Sequence, residues 1–415
     1  MDGYRQRCVA IIGGGAAGMM AAIYAVQNGA DVTLFEKNPY LGKKLGITGK
    51  GRCNVTNDCD NGEFLKNVIA NPKFLYASIN NLSTSDVKDF FESLGVPLKT
   101  ERGRRVFPVS DKAADIVNAL KNCLRDYGVK VVHEKVISIK ANENRVTGLI
   151  TDRGEYDFDA VICATGGASY PMTGSDGDGY RFAKELGIEV SPLFPSLVPL
   201  ETVEDVSSNM GLSLKNVTLK AVDNKTGKTV FNELGEMLFT HFGLTGPLVL
   251  SASSHMRHME KGRYTVYIDF KPALDTSELD KRVLSDFSKN INKDFANALG
   301  HLLPSKIIPY IVKRSGIPPD AKVNEITKAQ RKAFIDTLKG LSLEIKGFRP
   351  LREAIVTAGG ISVKEINPSD MSSRKYKGLY FAGEVIDVDA YTGGYNLQIA
   401  FSTGALAGMH AAWEE

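Results

Sequence analysis

The beginning of the chain alternates between apolar runs and a glycine-rich turn. Residues 7–12 form an apolar run that is typical of a parallel strand covered on both faces. Glycines follow at once, and an apolar helix is then predicted that ends at Asn28-Gly29. A second strand is predicted over residues 31–36. The pattern therefore predicts a βαβ unit with a right-handed crossover.

Further along, the periodicity changes twice. An amphipathic helix, short strands and a hairpin are predicted before an apolar strand, over residues 115–127, 129–132, 136–140, 145–151, 156–158 and 159–164. Beyond Pro192, the stretches 195–200, 212–222 and 263–270 alternate like half-buried antiparallel strands, whereas 276 to about 347 turns helical and more polar. The parallel-strand pattern returns with Gly378–Ala382. These changes predict a first domain in two pieces, interrupted by an insert that is β-rich first and helical afterwards.

The turn after the first strand carries a dinucleotide fingerprint. Gly13, Gly15 and Gly18 have the G-x-G-x-x-G spacing between a strand and a helix. Gly13 allows a tight turn, Gly15 lets the backbone approach a pyrophosphate, and Gly18 lets the helix pack close to the sheet. Glu36 ends the second predicted strand, where a carboxylate can accept hydrogen bonds from ribose hydroxyls. A structural glycine turn is the alternative, and the combined spacing favours the nucleotide site.

A second glycine-rich motif lies near the end of the chain. Gly378–Glu384 is followed by Tyr391–Gly404, in which Gly393-Gly-Tyr-Asn-Leu-Gln398 begins an apolar helix. The N–H groups of such a helix can face a flavin pyrimidine ring, and Glu384 and Asp387 can hold ribityl hydroxyls. A plain nicotinamide-binding domain needs only the first motif, so the pair indicates FAD. Because no second G-x-G-x-x-G follows a strand, a nicotinamide must reach the flavin directly, or another donor must reduce it.

A basic loop over residues 41–57 directly follows the βαβ unit. Its small and short polar side chains suit ligand contact, and Lys43, Lys44, Lys50 and Arg52 could neutralise phosphate. A solvated basic loop is the alternative. Cys53 is the thiol of this loop; a redox role would require a lowered pKa, and packing beside the cofactor is the alternative.

Two further glycine turns follow apolar segments. Ala164-Thr-Gly-Gly-Ala168 comes after a predicted strand, and Gly174–Tyr180 opens a helix. We interpret them as the rim of the cofactor site, with ordinary surface turns as the alternative.

Composition adds limits to this picture. The 415 residues have a net charge of +3, which does not by itself require a nucleic-acid partner. Five scattered cysteines without a C-x-x-C pair predict reduced thiols and a cytoplasmic enzyme. We predict no signal peptide and no membrane span, and no metal site, because His255 and His258 lack further ligands.

The chain resembles the BaiN/YhiN-type bacterial flavoproteins, which are NAD(P)/FAD-dependent or aminoacetone-oxidase-like oxidoreductases. The matching stretches span nearly the full length: GGGAAG, GITGKGRCNVTN, GRRVFPVSDKA, ATGGASYPMTGSDGDGY, GEMLFTHFGLTGP and GLYFAGEVIDVDAYTGGYNLQIAFSTG. The resemblance implies an α/β fold with a Rossmann-like, glutathione-reductase-like FAD domain, split by a β-barrel-like and a small helical region. We place the parts at 1–190, 191–274, 275–347 and 348–415.

Motifs and resemblance together predict a set of residues that hold FAD non-covalently. The set is Gly13, Gly15, Ala16, Ala17, Gly18, Glu36, Lys37, Lys44, Thr48, Gly49, Arg52, Cys53, Asn54, Val136, Ala164, Thr165, Gly166, Gly383, Glu384, Asp387, Gly394, Tyr395, Asn396 and Leu397. Cys53, His241 and Tyr391 are the candidates for catalysis. His241 lies in a glycine-containing loop, and a simple structural role for it is equally compatible with the sequence.

The leading hypothesis is an FAD-dependent oxidoreductase that passes hydride through flavin N5 to or from an unsaturated or amine substrate, with NAD(P)H as the candidate transient reductant. Family members act on unlike substrates, including steroids, amines and a uridine of ribosomal RNA, so the substrate is a small molecule or ribosomal RNA. Basic residues support RNA: Arg102, Arg104 and Arg105 add to the loop cations, and the insert carries Lys281, Arg282, Lys289 and Lys293. The alternative, which the sequence alone favours, is that the loop cations serve the FAD pyrophosphate and the others lie on solvated helix faces. The alternative from another class is a non-catalytic FAD-binding scaffold.

Overall fold

The computed structural model describes residues 6–413, which divide into two compact units. The first unit contains the chain up to Ser196 and from Leu351 onward, and the second contains Leu197–Pro350. Within residues 6–413, no helix is both long and apolar enough to cross a membrane.

The regular structure consists of 19 strands and 13 helices among the described residues, joined by short 3₁₀ turns. The strands are β1 (Cys8–Ile12), β2 (Asp31–Phe35), β3 (Thr56–Asn57), β4 (Leu98–Glu101), β5 (Arg105–Pro108), β6 (Lys130–Val132), β7 (Val136–Asn142), β8 (Arg145–Thr151), β9 (Glu155–Asp157), β10 (Ala160–Cys163), β11 (Val190–Ser196), β12 (Leu200–Thr202), β13 (Ser213–Asp223), β14 (Lys228–Phe239), β15 (Gly243–Thr245), β16 (Tyr264–Asp269), β17 (Leu341–Phe348), β18 (Val356–Ile361) and β19 (Leu379–Phe381). The helices are α1 (Ala16–Gln27), α2 (Thr48–Gly51), α3 (Asn61–Lys66), α4 (Tyr76–Asn81), α5 (Thr84–Ser93), α6 (Ala113–Asp126), α7 (Asp178–Glu185), α8 (Pro247–Ser254), α9 (Thr276–Ser288), α10 (Phe295–Ala298), α11 (Ile308–Ser315), α12 (Lys328–Lys339) and α13 (Tyr395–Ala411).

A five-stranded parallel sheet forms the centre of the first unit, in the order β19-β10-β1-β2-β6. The residues of β1 and β10 are almost entirely buried, as expected for parallel strands covered on both faces. The predicted βαβ unit is confirmed, and α1 ends immediately before Asn28-Gly29. Because β10 and β19 continue the sheet from β1, the glycine turns that follow these three strands meet at one edge.

The apolar helices from the two ends of the chain pack backbone against backbone. Gly404 and Gly408 of α13 lie against Ala17 and Ala21 of α1, and a β-carbon at Gly404 would lie 3.1 Å from the Ala17 carbonyl carbon. Glycine is required there because any side chain would push the helices apart. The contact moves from Ala17 to Ala21 along α1 as it moves from Gly404 to Gly408 along α13. The two helices therefore run parallel.

This contact fixes how far each helix extends toward the glycine turns. α13 begins at Tyr395, nine residues before Gly404, whereas α1 begins at Ala16, one residue before Ala17. At a rise of about 1.5 Å per residue, the start of α13 projects roughly 12 Å beyond the start of α1. The positive ends of both helix dipoles therefore point the same way, one behind the other.

Smaller antiparallel sheets surround this centre. β4 and β5 form a hairpin whose second strand pairs with β3, β7-β8-β9 form another sheet, and β11 pairs with β18. The side-chain amide nitrogen of Asn57, at the end of β3, donates to the carbonyl oxygens of Gly103 (3.1 Å) and Gly393 (3.0 Å). The tip of the β4–β5 hairpin is thereby held next to the start of α13.

The second unit is a closed antiparallel barrel in the order β12-β15-β14-β13-β16-β17. Its interior is filled with apolar side chains such as Leu219, Val266 and Leu343, which are fully buried. Helix α8 follows β15, and α9–α12 lie between β16 and β17 in the chain. The predicted α/β class with a barrel-like insert and a small helical region is confirmed.

One element of the insert was predicted wrongly. Residues 341–347 were assigned to the helical region, but they belong to β17, which pairs with β12 and β16 and closes the barrel. Leu341, Leu343 and Ile345 are buried and alternate with more exposed residues. The period of two that defines a strand was present in Leu-Ser-Leu-Glu-Ile-Lys, directly after the Gly340 cap of helix α12.

Candidate cofactor and active site

The glycine turns of the first unit are in close contact at the carboxyl edge of the parallel sheet. A β-carbon at Gly13 would lie 2.6 Å from the Ala164 carbonyl oxygen, and one at Gly383 would lie 2.7 Å from the β-carbon of Ala17. The fingerprint, the Ala164–Ala168 turn and the turn after β19 therefore form one continuous surface of backbone.

Gly15 is different from its neighbours in the fingerprint. A β-carbon at Gly15 would meet no protein atom within 4 Å, whereas a β-carbon at Gly18 would collide with the Gly13 carbonyl oxygen. Gly15 precedes the first residue of α1 with φ −84°, a conformation that any residue can adopt. Neither protein packing nor φ requires a glycine here, so the helix start is open on the side where the fingerprint predicts a pyrophosphate.

Glu36 is fixed directly after β2 and is 8% exposed. Its carboxylate accepts hydrogen bonds from the backbone N–H of Gly14 (2.8 Å), the backbone N–H of Asn38 (2.7 Å) and the Asn38 side-chain amide (2.8 Å). A carboxylate offers about four acceptor positions, so one remains for a hydroxyl. The predicted partner for a ribose is thus pre-oriented beside the fingerprint.

The ammonium group of Lys37 is engaged by two carboxylates of the protein. Its ammonium group pairs with Asp176 at 2.6 Å and Asp178 at 2.8 Å. These carboxylates belong to the Gly174–Tyr180 segment, so the predicted second glycine turn contacts the β2 end through Lys37. Because its ammonium group is engaged in these ion pairs, Lys37 has a structural role in the site. Its backbone and its aliphatic side-chain carbons are the groups that can contact a nucleotide.

The basic loop contains two corrections to the sequence analysis. Arg52 was expected to neutralise phosphate, but its guanidinium pairs with Glu101 (2.5 Å) and Asp111 (2.5 Å) and stacks over the Phe107 ring at 4.1 Å. Its charge is balanced by these two carboxylates, so the Arg52 guanidinium is engaged within the protein and is not free to bind a phosphate. Lys43 and Lys50 are the remaining loop cations besides Lys44.

Cys53 is the second correction. The residue is fully buried and has φ 57°, and its backbone N–H donates to the Thr48 carbonyl oxygen at 3.0 Å. Burial raises the pKa of the Cys53 thiol to about 12. A nucleophilic or redox role would need the opposite shift, so Cys53 is a packing residue of the loop and not a catalytic candidate.

The same loop presents one polar atom without a partner. The side-chain oxygen of Asn54 is buried and accepts no hydrogen bond from any residue in the described part of the chain. Gly49, at φ 57°, packs beside the Asn54 backbone nitrogen. Buried acceptors are nearly always satisfied, so this oxygen is available to accept a hydrogen bond from a ligand or an ordered water.

Lys44 and Glu384 form an ion pair across 340 residues of sequence, with the Lys44 ammonium 2.7 Å from a Glu384 oxygen. Ser169 joins both, since it accepts from Lys44 at 2.8 Å and donates to Glu384 at 3.1 Å. The Thr357 backbone N–H donates to the same carboxylate at 2.9 Å, and the Thr357 hydroxyl accepts from the Ala168 N–H. Basic loop, glycine turn, β18 and the turn after β19 therefore share one network.

Ser169 and Thr357 were missed by the sequence analysis, although both are fully buried. Ser169 directly follows the Ala164–Ala168 turn, and that position was a signal that could have identified it. Thr357 lies inside a buried strand, where a hydroxyl residue alone gives no functional signal.

The start of α13 is closely tied to the basic loop. Gly394 packs directly on the Thr56 backbone, and the Asn57 amide reaches the Gly393 carbonyl. The Thr56 hydroxyl donates to the Gln398 side chain at 2.6 Å. The two ends of the chain that carry the FAD signature are therefore in direct contact.

The side chains at the α13 start have different surroundings. The Asn396 amide bonds to the Ala390 N–H (3.0 Å) and to the carbonyl oxygens of Ala390 (2.9 Å) and Tyr391 (3.2 Å), so it fixes the preceding loop and would meet a cofactor through its backbone. Tyr395 is buried against Phe64 at 5.4 Å between ring centroids, and burial raises the pKa of its hydroxyl to about 12. Leu397 and Tyr391 are half-buried.

The remaining predicted positions are distributed over both units. Ala164, Thr165 and Gly166 follow β10; Asp387 lies in the loop after β19, where its carbonyl accepts from Asn71; and Val136 begins β7. His241 belongs to the second unit, exposed in the turn between β14 and β15, with its ring edge-on to Phe242 at 5.0 Å between centroids. The role of His241 stays a prediction.

The residues of the first unit fit FAD. Gly15 leaves room at a helix start for a pyrophosphate, Glu36 offers an acceptor for a ribose, and the Asn54 oxygen lacks a donor. The roughly 12 Å offset between the starts of α1 and α13 matches a cofactor whose phosphates and ring system need separate positive helix ends.

Comparison with known proteins identifies the family of this chain. Residues 7–410 match the family model described as "HI0933-like protein Rossmann domain". The chain belongs to the HI0933-like family. It is 33% identical to a 3-dehydro-bile acid Δ(4,6)-reductase of Clostridium scindens, over 97% of this chain and 98% of that protein. It is also 32% identical to a ribosomal RNA dihydrouridine synthase of Haemophilus influenzae, over 95% of each chain.

Solved structures agree on the fold of this HI0933-like protein. A 3-ketosteroid Δ1-dehydrogenase of Sterolibacterium denitrificans superposes with a TM-score of 0.52 at 14% identity, covering 97% of this chain and 99% of that chain. A quinol fumarate reductase of E. coli also gives 0.52 at 16% identity, covering 98% of this chain and 70% of that chain. The predicted family and the predicted class of flavin-dependent oxidoreductase are confirmed by these relatives.

Proposed function

We propose that this protein is an FAD-dependent reductase that saturates a carbon–carbon double bond conjugated to a carbonyl group, with NAD(P)H as the reductant. The observation that carries the proposal is the parallel contact of α1 and α13, which sets two positive helix ends toward one edge of the sheet. When bound, FAD would supply hydride transfer through its N5 atom.

The names of the two groups of relatives share one chemistry. A 3-dehydro-Δ4 steroid and a uracil ring each contain a double bond conjugated to a carbonyl group, and reduction adds a hydride and a proton across it. The balanced reaction oxidises one NAD(P)H to NAD(P)⁺. Saturation of such a bond is therefore the activity that both kinds of relative support.

The residues of the first unit would divide the work as follows. The start of α1 would hold the pyrophosphate, and Glu36 would hold the ribose of the adenosine. Glu384, held by Lys44, would accept from ribityl hydroxyls. The start of α13 would stabilise negative charge on the reduced ring, as helix N-termini do.

Tyr391 is our candidate for delivering the proton to the substrate carbon. It is half-buried and lies just before α13, and the Asn396 amide holds its carbonyl oxygen. His241 is the second candidate. Comparison of Tyr391→Phe and His241→Asn separates them, because loss of the proton donor lowers substrate reduction while flavin reduction by NAD(P)H continues.

A uridine in RNA is the substrate class that the charge distribution favours. The second unit carries 22 Lys and Arg against 17 Asp and Glu, a formal charge of +5. Lys281, Lys289 and Lys293 are exposed, whereas Arg282 pairs with Asp286 at 3.0 Å. A positive balance of this kind supports attraction to a polyanion.

The test begins with the purified protein under anaerobic conditions. Flavin absorbance is expected to bleach on addition of NADPH or NADH and to return on addition of cyclohex-2-enone or uridine-containing ribosomal RNA, which gains two hydrogens per modified base by mass spectrometry. Protein that cannot be reconstituted with FAD would refute the proposal. If the flavin is reduced but none of these conjugated acceptors reoxidises it, the proposal is also refuted. The non-catalytic FAD-binding scaffold would then be the remaining hypothesis.

A further inference from the structure

Three arginines at the tip of the β4–β5 hairpin are exposed: Arg102, Arg104 and Arg105. The last paired residues of the hairpin are Glu101 and Arg105, so Arg102 and Arg104 lie in the connecting turn. Gly103 and Arg104 both have positive φ, 78° and 57°. A side chain at a left-handed position costs free energy that glycine would not, so arginine at position 104 is not explained by the turn itself.

The carboxylates around the hairpin are already engaged by other cations. Glu101 pairs with Arg52 (2.5 Å), Asp111 pairs with Arg52 and with Lys99 (2.8 Å), and Asp58 pairs with Lys88. Among residues 6–413, no ion pair within 4 Å joins a carboxylate to any of the three tip arginines. The pKa of Asp58 is lowered first by its hydrogen bond to Lys88, and the Arg104 charge helps to lower it. The Arg105 Nε donates to the Arg102 carbonyl oxygen at 3.0 Å. The tip therefore carries surplus positive charge.

The tip is also fixed next to the start of α13. The Asn57 amide nitrogen bonds to the Gly103 carbonyl oxygen at 3.1 Å and to the Gly393 carbonyl oxygen at 3.0 Å, which places these two oxygens within about 6 Å of each other. The Asp58 N–H donates to the Arg104 carbonyl at 2.7 Å. The backbone of the tip is thus held beside the start of α13, where the proposed function places the reacting ring of the cofactor.

We propose that the Arg102–Arg105 tip is a phosphate-docking element that holds the RNA backbone beside the nucleotide to be reduced. The inference rests on the proposed function and adds the surface by which that site recognises its substrate. Guanidinium groups bind phosphate oxygens in a bidentate manner, and their planar fork is pre-organised for that geometry. The same chemistry would fit the phosphates of NADPH, so the test separates the two sources.

The measurement is the salt dependence of binding to a fluorescein-labelled oligouridylate, followed by fluorescence anisotropy. Each phosphate contact to a single strand contributes about 0.7 to the slope of log K against log salt, so the triple variant R102Q/R104Q/R105Q is expected to lower the slope by roughly 2. The triple lysine variant keeps the charge and is expected to retain most of the slope. A control, K121Q/R125Q/K130Q, removes three exposed cations carried by α6 and β6, of which Arg125 lies 3.4 Å from the Asp126 carboxylate.

The outcomes distinguish the possibilities. An equal loss of slope in the control and the hairpin variant overturns the inference, as does an unchanged slope in the hairpin variant. If the hairpin variant weakens NADPH in the flavin-bleaching titration and leaves RNA binding intact, the tip binds the reductant and the RNA assignment is wrong. R102Q alone, expected to lower the slope by about 0.7, replaces the triple variant if that protein does not fold. Failure of wild-type protein to reduce cyclohex-2-enone or RNA would count against the proposed function and not against this surface.

Discussion

The contact between α1 and α13 gives a quantitative prediction. In Gly404→Ala, the added β-carbon would collide with the carbonyl oxygen of Ala17 and lie 3.1 Å from its carbonyl carbon. Ordinary contact distances are about 3.5–4.0 Å, so the helices must separate by several tenths of an ångström to about 1 Å. The obstacle is backbone and cannot rotate away.

Overpacking of this kind costs about 1–3 kcal/mol in the free energy of unfolding. Gly408→Ala meets the Ala21 backbone in the same way and is expected to show a similar cost. The helix starts would also be displaced, so the affinity of each variant for FAD is expected to fall. Urea unfolding of the apoprotein measures the first effect, and quenching of FAD fluorescence measures the second.

Gly154→Ala is the matched control, because a β-carbon at Gly154 meets no atom within 4 Å. It is expected to leave both measurements within about 0.5 kcal/mol of wild type. If Gly404→Ala is as stable as Gly154→Ala, then the two helices are not in backbone contact and the predicted offset of their starts has no basis.

Three further predictions concern the site itself. Gly15→Ala is expected to change the stability of the apoprotein by about 1 kcal/mol or less and to weaken FAD binding, and a fall in stability comparable to that of Gly404→Ala would show that Gly15 serves packing. The Cys53 thiol is expected to resist iodoacetamide at pH 8 in the native protein. Since its folded pKa of about 12 lies above the ordinary value of 9, the stability it contributes is complete below pH 9 and falls by about 1.4 kcal/mol per pH unit between pH 9 and about 12. Cys53→Ala should flatten that decline, and an unchanged pH profile would contradict the burial argument. For the partly exposed ion pair of Lys44 and Glu384, a double-mutant cycle with Lys44→Met and Glu384→Gln should give a coupling energy of about 1 kcal/mol in urea unfolding. Additive effects of the two substitutions would show that the side chains do not interact.

Local patterns were sufficient for the elements that hold the cofactor. The apolar run of β1, the glycine spacing and Glu36 predicted a βαβ unit, and the structure contains it, because each of these signals lies within about 30 residues of sequence. The glycine-rich start of α13 was recognisable for the same reason. Short-range rules work where a turn or helix start is decided by its own residues.

The sequence predictions failed where residues distant in the sequence determine the surroundings of a side chain or strand. Arg52 resembled a phosphate ligand from its loop, but Glu101 and Asp111, about 50 and 60 residues away in sequence, take its charge. Cys53 was weighed by the cations near it in the chain, whereas burial sets its pKa. β17 carries a strand period in its own residues but was assigned to the preceding helical region, because the strands that pair with it, β12 and β16, lie far from it in the sequence.

The site is thus assembled from segments at opposite ends of the chain: Lys44 meets Glu384 across 340 residues, and Asn57 meets Gly393 across 336. Each of these contacts requires a large loss of chain entropy before it forms. The close packing of glycine against alanine between α1 and α13 supplies the contact that brings the ends together. Stability and cofactor geometry therefore depend on the same interface, and a ligand that binds both helix starts stabilises the first unit as a cross-link would.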